Sequence, residues 1–145
     1  MTNNHQMENE LGRLILRLAN TIIKNRNHHL EALNLTAEQA DTLQFFLSRP
    51  GATATQLKGH LGITHQTARG IVRRMADKGL LELRLSESDA RGRCVFPTAK
   101  GEELGVRMRA NRERTGGKLL KGMTDAEQQD FLRLLKQSLN RVEHD

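Results

Sequence analysis

The chain has 145 residues and a formal net charge of +6, from 23 Lys and Arg against 17 Asp and Glu residues, so it is long enough for a stable core and basic enough to favour a polyanionic partner. Its single cysteine, Cys94, excludes an intramolecular disulfide framework and a zinc site built from several cysteines, which is typical of a reduced compartment. No apolar run approaches the roughly 18 residues of a membrane span, and residues 1–10 are polar and lack a signal-peptide core, so we expect a cytoplasmic protein with no membrane partner.

The first two predicted elements are helices. Over residues 8–32, apolar side chains recur at helical spacing from Leu11 onwards, and others lie outside this stripe, which favours burial against more than one partner. Thr36 and Gln39 have the spacing of a capping box, so a second helix is predicted to begin there. Pro50-Gly51 ends it.

Two shorter helices separated by a tight turn are predicted next. A helix near residues 54–60 ends at Gly62, and Thr64 has the residue type and position of the N-cap of another helix. This second helix runs to about Lys78, because Gly79 stands where a left-handed residue commonly follows a helix. The order of helix, tight turn and helix is typical of a helix-turn-helix.

The apolar period then changes from that of a helix to that of a strand. Leu81, Leu83 and Leu85 alternate with charged residues, which predicts a half-buried strand. Residues 86–92 are polar and predict a turn, and residues 93–96 predict a second short strand. Together these segments predict a hairpin with a charged tip, which is a wing following the helix-turn-helix.

Two longer helices complete the chain. Thr98 is predicted to cap the first of them, and Gly116-Gly117 leave its far end undefined. Thr124 and Glu127 have the spacing of a capping box at the start of a final amphipathic helix. The predicted fold class is therefore mainly α with a small β-hairpin wing: a winged helix-turn-helix with four helices, two strands and two further helices in chain order.

The second helix of the helix-turn-helix is predicted to have an apolar and a polar face. Ala68, Ile71, Val72 and Met75 have the spacing of a buried stripe, while residues 51–100 carry nine Lys or Arg against four acidic residues. A helix of about 10–12 Å diameter fits the major groove, in which Gln can bond adenine and Arg can bond guanine. The outward residues are therefore candidate DNA contacts, and an ordinary solvated basic face is the alternative. The candidates are Thr64, His65, Gln66, Thr67, Arg69, Arg73 and Arg74.

Two further features of this region concern close approach to DNA. Gly70 costs about 1 kcal/mol of helix stability relative to Ala. Its lack of a side chain could let the helix approach the groove floor or a packed neighbour, and neutral drift is the alternative. At the hairpin tip, Arg91 and Arg93 could place a guanidinium in a narrow minor groove, where the negative potential is enhanced. Asp89 is then expected to hold Arg91 or the loop backbone in place, and a surface ion pair worth about 0–1 kcal/mol is the alternative.

These motifs resemble the MarR family of multiple-antibiotic-resistance-type regulators over nearly the whole chain. The resemblance is strongest at Leu61-Gly62-Ile63-Thr64, continuing through Thr67, Val72 and Arg74 to Lys78-Gly79-Leu80, and at Asp89-x-Arg91, which is followed after five residues by Pro97-Thr98-x-x-Gly101. The chain departs from the family pattern at Pro97, where Leu is usual. A shorter second wing strand is expected there, because proline cannot donate to a ladder.

The resemblance implies a homodimer in which residues 8–34 and 112–145 form the dimerisation region and residues 35–111 form the winged helix-turn-helix DNA-binding region. It implies a repressor that binds double-stranded DNA at a pseudo-palindromic operator with half-sites about 34 Å apart. It also implies release by a small, often aromatic and acidic, effector bound between the two lobes. Arg13 and Arg17, four apart on one helix face, are the cationic candidates for the effector site, and solvated surface arginines are the alternative.

The residues bear on four other functions: an enzyme, a metal sensor, an oxidant sensor and an interaction module that does not bind DNA. No nucleophile-elbow, zinc-protease or phosphate-loop motif is present, so no catalytic residue and no cofactor is predicted. His28 and His29 are adjacent and face about 100° apart on a helix, so they form no chelating pair and no metal site is predicted. Cys94 lies near two arginines that favour a thiolate, which leaves an oxidant sensor as an alternative to a plain strand residue. The fourth, a winged-helix interaction module that does not bind DNA, is disfavoured by the basic segment.

Overall fold

The computed structural model describes residues 4–85 and 93–145. Within them the chain forms six helices and one antiparallel pair of strands, in the predicted order. The elements are α1 (Asn4–Ala32), α2 (Ala37–Ser48), α3 (Ala54–Leu61), α4 (His65–Asp77), β1 (Leu81–Leu85), β2 (Arg93–Pro97), α5 (Ala99–Leu120) and α6 (Asp125–His144). The chain divides into two compact units, Met1–Asn111 and Arg112–Asp145, and the boundary falls inside α5.

The core of the first unit is an apolar cluster to which the end of α1, helices α2 to α5 and both strands contribute. Leu43 and Phe46 of α2, Leu57 of α3, and Ile71 and Met75 of α4 are at most 1% exposed. Burial of each such side chain stabilises the fold by about 1.5–3 kcal/mol. The cluster therefore holds α4 firmly by one face and leaves its other face available.

Capping threonines determine where several helices begin. Thr36 and Gln39 form the predicted capping box, in which Thr36 Oγ1 accepts from Gln39 N at 3.1 Å. Thr124 and Glu127 form the predicted box at the start of α6, with a 3.2 Å bond. Thr53 begins α3 with a further box that the sequence analysis did not identify. Each cap of this kind contributes about 0.5–2 kcal/mol, enough to fix a helix start.

The two strands form the predicted wing, with Leu81 opposite Pro97 at its base. The expectation that β2 is shortened at Pro97 was wrong, because the strand includes this residue. The hydrogen bond next to Pro97 in the ladder is donated by Thr98 N to Leu80 O at 3.1 Å. The pair of Leu81 and Pro97 therefore requires no N–H group from the proline. The expectation of a strand half-buried to its end was also wrong, since Leu85 is 72% exposed where β1 leaves the core.

A short segment before α3 extends the wing. Gly51 N donates to Val95 O at 2.8 Å, and Val95 N donates to Ala52 O at 2.9 Å. These two bonds pair Ala52 with β2 as an isolated bridge. The base of the wing is therefore tied to the chain that leads into α3, which the sequence did not predict.

Two helices are longer than predicted. α1 begins at Asn4 rather than at residue 8, and α5 continues through Gly116 and Gly117 to Leu120. Neither of these two glycines has a positive φ, whereas Gly122 has a φ of 85° just beyond the end of α5. A glycine costs about 1 kcal/mol in a helix interior, which weakens α5 without ending it.

Candidate nucleic-acid interface

α4 begins at the predicted N-cap. Thr64 Oγ1 accepts from Thr67 N at 3.1 Å, and the two side-chain hydroxyl oxygens lie 2.8 Å apart. The Thr64 hydroxyl is therefore used inside the helix start. The first backbone N–H groups of a helix have no intrahelical partner, so those of His65 and Gln66 are the donors that remain for an anion such as a phosphate.

The two faces of α4 have opposite chemistry. Ala68, Ile71, Val72 and Met75 are at most 2% exposed, which confirms the predicted inner face. Among residues 4–85 and 93–145, no carboxylate lies within ion-pair distance of the three arginines of this helix. Their positive charge is therefore not neutralised by that part of the chain. The exposed polar set is His65, Gln66, Thr67, Arg69, Arg73 and Arg74.

The turn between α3 and α4 has the tight geometry that the sequence predicted. Gly62 ends α3 in the left-handed conformation, with a φ of 66°, and its N–H donates to Lys58 O at 2.9 Å. At the other end of α3, Thr53 and Gln56 bond each other's backbone N–H at 3.2 and 2.9 Å. Leu57, which is 0% exposed, anchors the helix in the core. α3 is thus fixed at both ends and in the middle.

The C-terminal end of α4 is fastened to the turn between α1 and α2. Lys78 Nζ donates to the backbone oxygen of Asn34 at 2.6 Å and to Gln39 Oε1 at 3.2 Å. Asn34 has a φ of 57°, a left-handed conformation that is uncommon outside glycine. This contact joins residues 44 positions apart, so no local sequence pattern predicts it. It determines where the helix end lies relative to the rest of the unit.

A second set of bonds joins the same end of α4 to the start of α5. Thr98 Oγ1 donates to Gly79 O at 2.6 Å and accepts from Gly101 N at 3.1 Å, so one hydroxyl caps both helices. Lys100 Nζ donates to Lys78 O at 3.3 Å. Thr98 was predicted only as the cap of the later helix. Its bond to the end of α4 was not foreseen.

The wing carries an arginine that the sequence analysis did not single out. The Arg84 guanidinium lies 4.4 Å from the centroid of the Phe96 ring and 3.2 Å from Glu82 Oε2. All three side chains share one face of the hairpin, because the register places Glu82 opposite Phe96. A strand-alternation pattern could have placed Arg84 on this face, but only the pairing register shows which ring it contacts.

A sequence model of the MarR family matches residues 33–92, which include α2, α3, α4 and β1. The HTH-type transcriptional repressor Rv2887 of Mycobacterium tuberculosis is 26% identical to this chain over 126 residues, which are 87% of this chain and 91% of the relative. Over the matched segment, the chain is similar to the MarR family.

Solved structures bear out the fold of this chain. A MarR family protein from Bacillus stearothermophilus superimposes with a TM-score of 0.83 at 22% identity over 99% of both chains. An S. aureus MepR mutant bound to an oligodeoxyribonucleotide superimposes with a TM-score of 0.70 at 19% identity, over 91% of this chain and 97% of that one. The predicted winged helix-turn-helix is therefore confirmed. The family match and the repressor relative together indicate a DNA-binding transcriptional regulator.

The structure describes only part of the predicted wing contacts. Arg93 is exposed at the start of β2, opposite Leu85. Asp89 and Arg91 lie outside the described residues. The part of the wing that the structure describes thus carries Arg84 and Arg93 as exposed cations.

The predicted effector residues, Arg13 and Arg17, are exposed on α1. A cleft of about 320 Å³ lies instead along α2 and the end of α3, and neither arginine lines it. Its floor is the buried Phe45, whose ring is 4.9 Å from the His60 ring and 5.1 Å from the Arg49 guanidinium carbon. This cleft was not predicted, because its lining residues come from two helices whose packing the sequence does not show.

The residues of the alternative sensors, His28, His29 and Cys94, all lie within the described ranges. Within them, no group of three or more His, Cys, Asp or Glu side chains is placed to hold a metal ion. His28 is exposed, and His29 is half-buried with its Nε2 atom buried and without a described partner. Cys94 is half-buried and unpaired in β2. No helix in the described ranges is both long and apolar enough to cross a membrane.

Proposed function

We propose that this chain is a cytoplasmic, dimeric repressor that binds a pseudo-palindromic operator and releases it when a small acidic effector binds. The observation that supports DNA binding best is the division of α4: one face is buried among apolar residues, and the other is exposed, cationic and unpaired within the described chain. A helix held in this way can enter the major groove without any change in the core. The relative named a transcriptional repressor supports the sign of regulation.

The exposed residues of α4 divide into two roles in this proposal. Gln66 is a base-reading residue, because its amide can make two hydrogen bonds to adenine. Arg69, Arg73 and Arg74 bond guanine or phosphate, and Thr67 and His65 lie nearest the helix start, where backbone N–H groups favour a phosphate. Thr64 contributes by fixing that start rather than by a free hydroxyl.

The wing contributes the contact to the minor groove. Arg91 enters the groove in this proposal, Asp89 orients it, and Arg93 lies at the groove edge. Arg84 lies beside Phe96 and Glu82, so it is held on the hairpin rather than free to extend. Loss of the tip arginine is expected to weaken binding most at A·T-rich flanks, where the groove is narrow.

The exposed apolar residues of α1 and α6 support the dimer. In each helix, several large apolar side chains are at least 41% exposed, and an exposed apolar surface of this kind is characteristic of a subunit interface. On α1 they are Met7, Leu11, Leu14, Ile15, Leu16, Leu18 and Ile23, and on α6 they are Leu132, Leu134, Leu135, Leu139 and Val142. A two-fold dimer would present two copies of α4 to half-sites about 34 Å apart.

Binding to duplexes tests the proposal. A duplex pool with randomised sequence is selected in vitro with the wild-type protein, and affinity for the selected duplex is measured by fluorescence anisotropy over a range of salt concentrations. We expect log affinity to fall linearly with log salt, and Arg73→Ala to weaken binding roughly tenfold or more. Arg133→Ala, which also removes an exposed arginine, here from α6, is the control. A wild-type protein that enriches no sequence and shows no salt-dependent binding would refute the proposal.

The dimer and the effector have separate tests. Sedimentation of the wild-type protein is expected to show a dimer, and Ile15→Glu is expected to give monomers that bind the selected duplex weakly; a monomeric wild type would contradict the dimer. Benzoate, the simplest acidic aromatic probe, is expected to release the duplex from the wild type but not from the double variant Arg13→Ala, Arg17→Ala. Equal release from both proteins would remove these arginines from the effector site.

A further inference from the structure

Gly70 lies at the centre of the exposed face of α4. It is four residues after Gln66 and three before Arg73, so the three positions share one side of the helix. This side is opposite the one that buries Ile71 and Met75. After proline, glycine is the least favourable residue in a helix interior. Its presence in the middle of a 13-residue helix therefore calls for a physical reason.

The described part of the protein offers no internal reason for this glycine. A Cβ atom built on Gly70 meets no neighbouring atom within 4 Å, and its φ is not positive. Two other glycines of the same unit have an internal reason: a Cβ on Gly101 would overlap the backbone oxygen of Leu80, and Gly62 has a φ of 66°. The packed-neighbour explanation for Gly70 is thus excluded among the described residues. The space that the missing side chain leaves open faces away from the core.

We propose that Gly70 is a specificity-determining position, whose lack of a side chain lets the backbone of α4 lie against the floor of the major groove. This inference rests on the proposed function. A Cβ atom stands about 1.5 Å out from the helix backbone, whereas a hydrogen bond to a base edge tolerates a range of only about 0.5 Å, from 2.7 to 3.2 Å. A methyl group at this position would hold Gln66 and Arg73, on either side of it, out of bonding distance.

Contacts to phosphate respond differently to the same change. Phosphates lie along the rims of the groove, and flexible arginine side chains reach them from a range of helix depths. A side chain at position 70 should therefore reduce affinity for the selected sequence and leave binding to unrelated duplexes almost unchanged. The protein fold should gain stability, because alanine replaces glycine in a helix with no neighbouring atom to displace.

The test compares Gly70→Ala and Gly70→Leu with Gly59→Ala. Gly59 lies in α3, is exposed, and also has no atom within 4 Å of a built Cβ. Thermal unfolding and affinity are measured for each protein, using the duplex selected by the wild type and an unrelated duplex of equal length. We expect Gly70→Ala to raise the unfolding midpoint by about 3 °C and to bind the selected duplex at least tenfold more weakly. Gly70→Leu should bind it more weakly still, and Gly59→Ala should match the wild type in affinity.

Two results would overturn the inference: unchanged affinity of Gly70→Ala for the selected duplex, or an equal loss on both duplexes. Because both variants use strong helix formers, the unfolding midpoint separates loss of binding from loss of fold. If the wild type itself selects no sequence, the proposed function fails. If the wild type selects a sequence and Gly70→Ala binds it equally well, only the role of Gly70 fails.

Discussion

Replacement of Gly101 by alanine is expected to destabilise the protein at the junction of α4, β1 and α5. A Cβ at this position would overlap the backbone oxygen of Leu80 and lie 3.3 Å from Leu43 Cδ1. The Leu80 oxygen is not free to move, because it accepts from Thr98 N at 3.1 Å, while Leu80 N donates to Met75 O at 3.0 Å. The methyl group can be accommodated only by separating α5 from this backbone.

The magnitude follows from three effects. Overpacking of a core costs about 1–3 kcal/mol, and loss of the hydrogen bond to the Leu80 oxygen costs about 1 kcal/mol more. Alanine offsets about 1 kcal/mol of this, because it is the better helix former. We therefore expect Gly101→Ala to lower the free energy of unfolding by about 2 kcal/mol and the unfolding midpoint by about 6 °C for a chain of this length.

Gly105→Ala is the matched control in the same helix. A Cβ there would lie 2.5 Å from Leu47 Cδ1, which is the end of a flexible, half-buried side chain. Rotation of the Leu47 side chain costs about 0.5–1.5 kcal/mol, and alanine offsets about 1 kcal/mol as the better helix former. The free energy of unfolding should therefore stay within about 1 kcal/mol of the wild type. Urea unfolding followed by circular dichroism measures both variants. Equal stability of the two would refute the reasoning that backbone obstruction, not Cβ volume, sets the cost.

Three further outcomes are expected. Thr64→Ala should lose about 1 kcal/mol of stability and Thr64→Ser much less, because only the hydroxyl caps α4; urea midpoints for the two variants decide this. Lys78→Met should lose about 1 kcal/mol by freeing the Asn34 oxygen, and an unchanged midpoint would show that the bond is not needed. Hydrogen bonds from Thr124 hold the pKa of Glu127 below its usual 4.5. The stability that the Glu127 carboxylate adds at the start of α6 is therefore present above pH 4.5 and is lost as the pH falls through the lowered pKa. An NMR titration of the Thr124 amide should follow this loss, and Glu127→Gln should abolish the titration.

The helix-turn-helix could be predicted in detail because its signals are local. The buried face of α4 depends on side chains three and four residues apart, and its start depends on Thr64 and the backbone three residues later. Two of the capping boxes were found for the same reason. The third, at Thr53, has the same spacing to Gln56, and was missed although the signal was present.

The two errors in the wing arose where strand pairing decides the structure. Pro97 can belong to β2 because the neighbouring bond of the ladder runs through Thr98 and not through proline. Leu85 is exposed because the hairpin projects beyond the core before β1 ends. Neither the register of two strands nor the extent of the surface beneath them can be obtained from alternation alone.

The amino-acid sequence alone determined the order of the elements, the caps and the chemistry of each helix face, since these depend on residues within about one turn of each other. Tertiary structure alone decided which atoms surround each helical glycine and which partners the long cationic side chains contact. Gly70 and Gly101 are both helical glycines, yet one faces open space and the other a backbone carbonyl. Lys78 reaches a turn 44 residues earlier, and Arg84 contacts a ring on the opposite strand. Such partners are distant along the chain, and only the packing of the core brings them together.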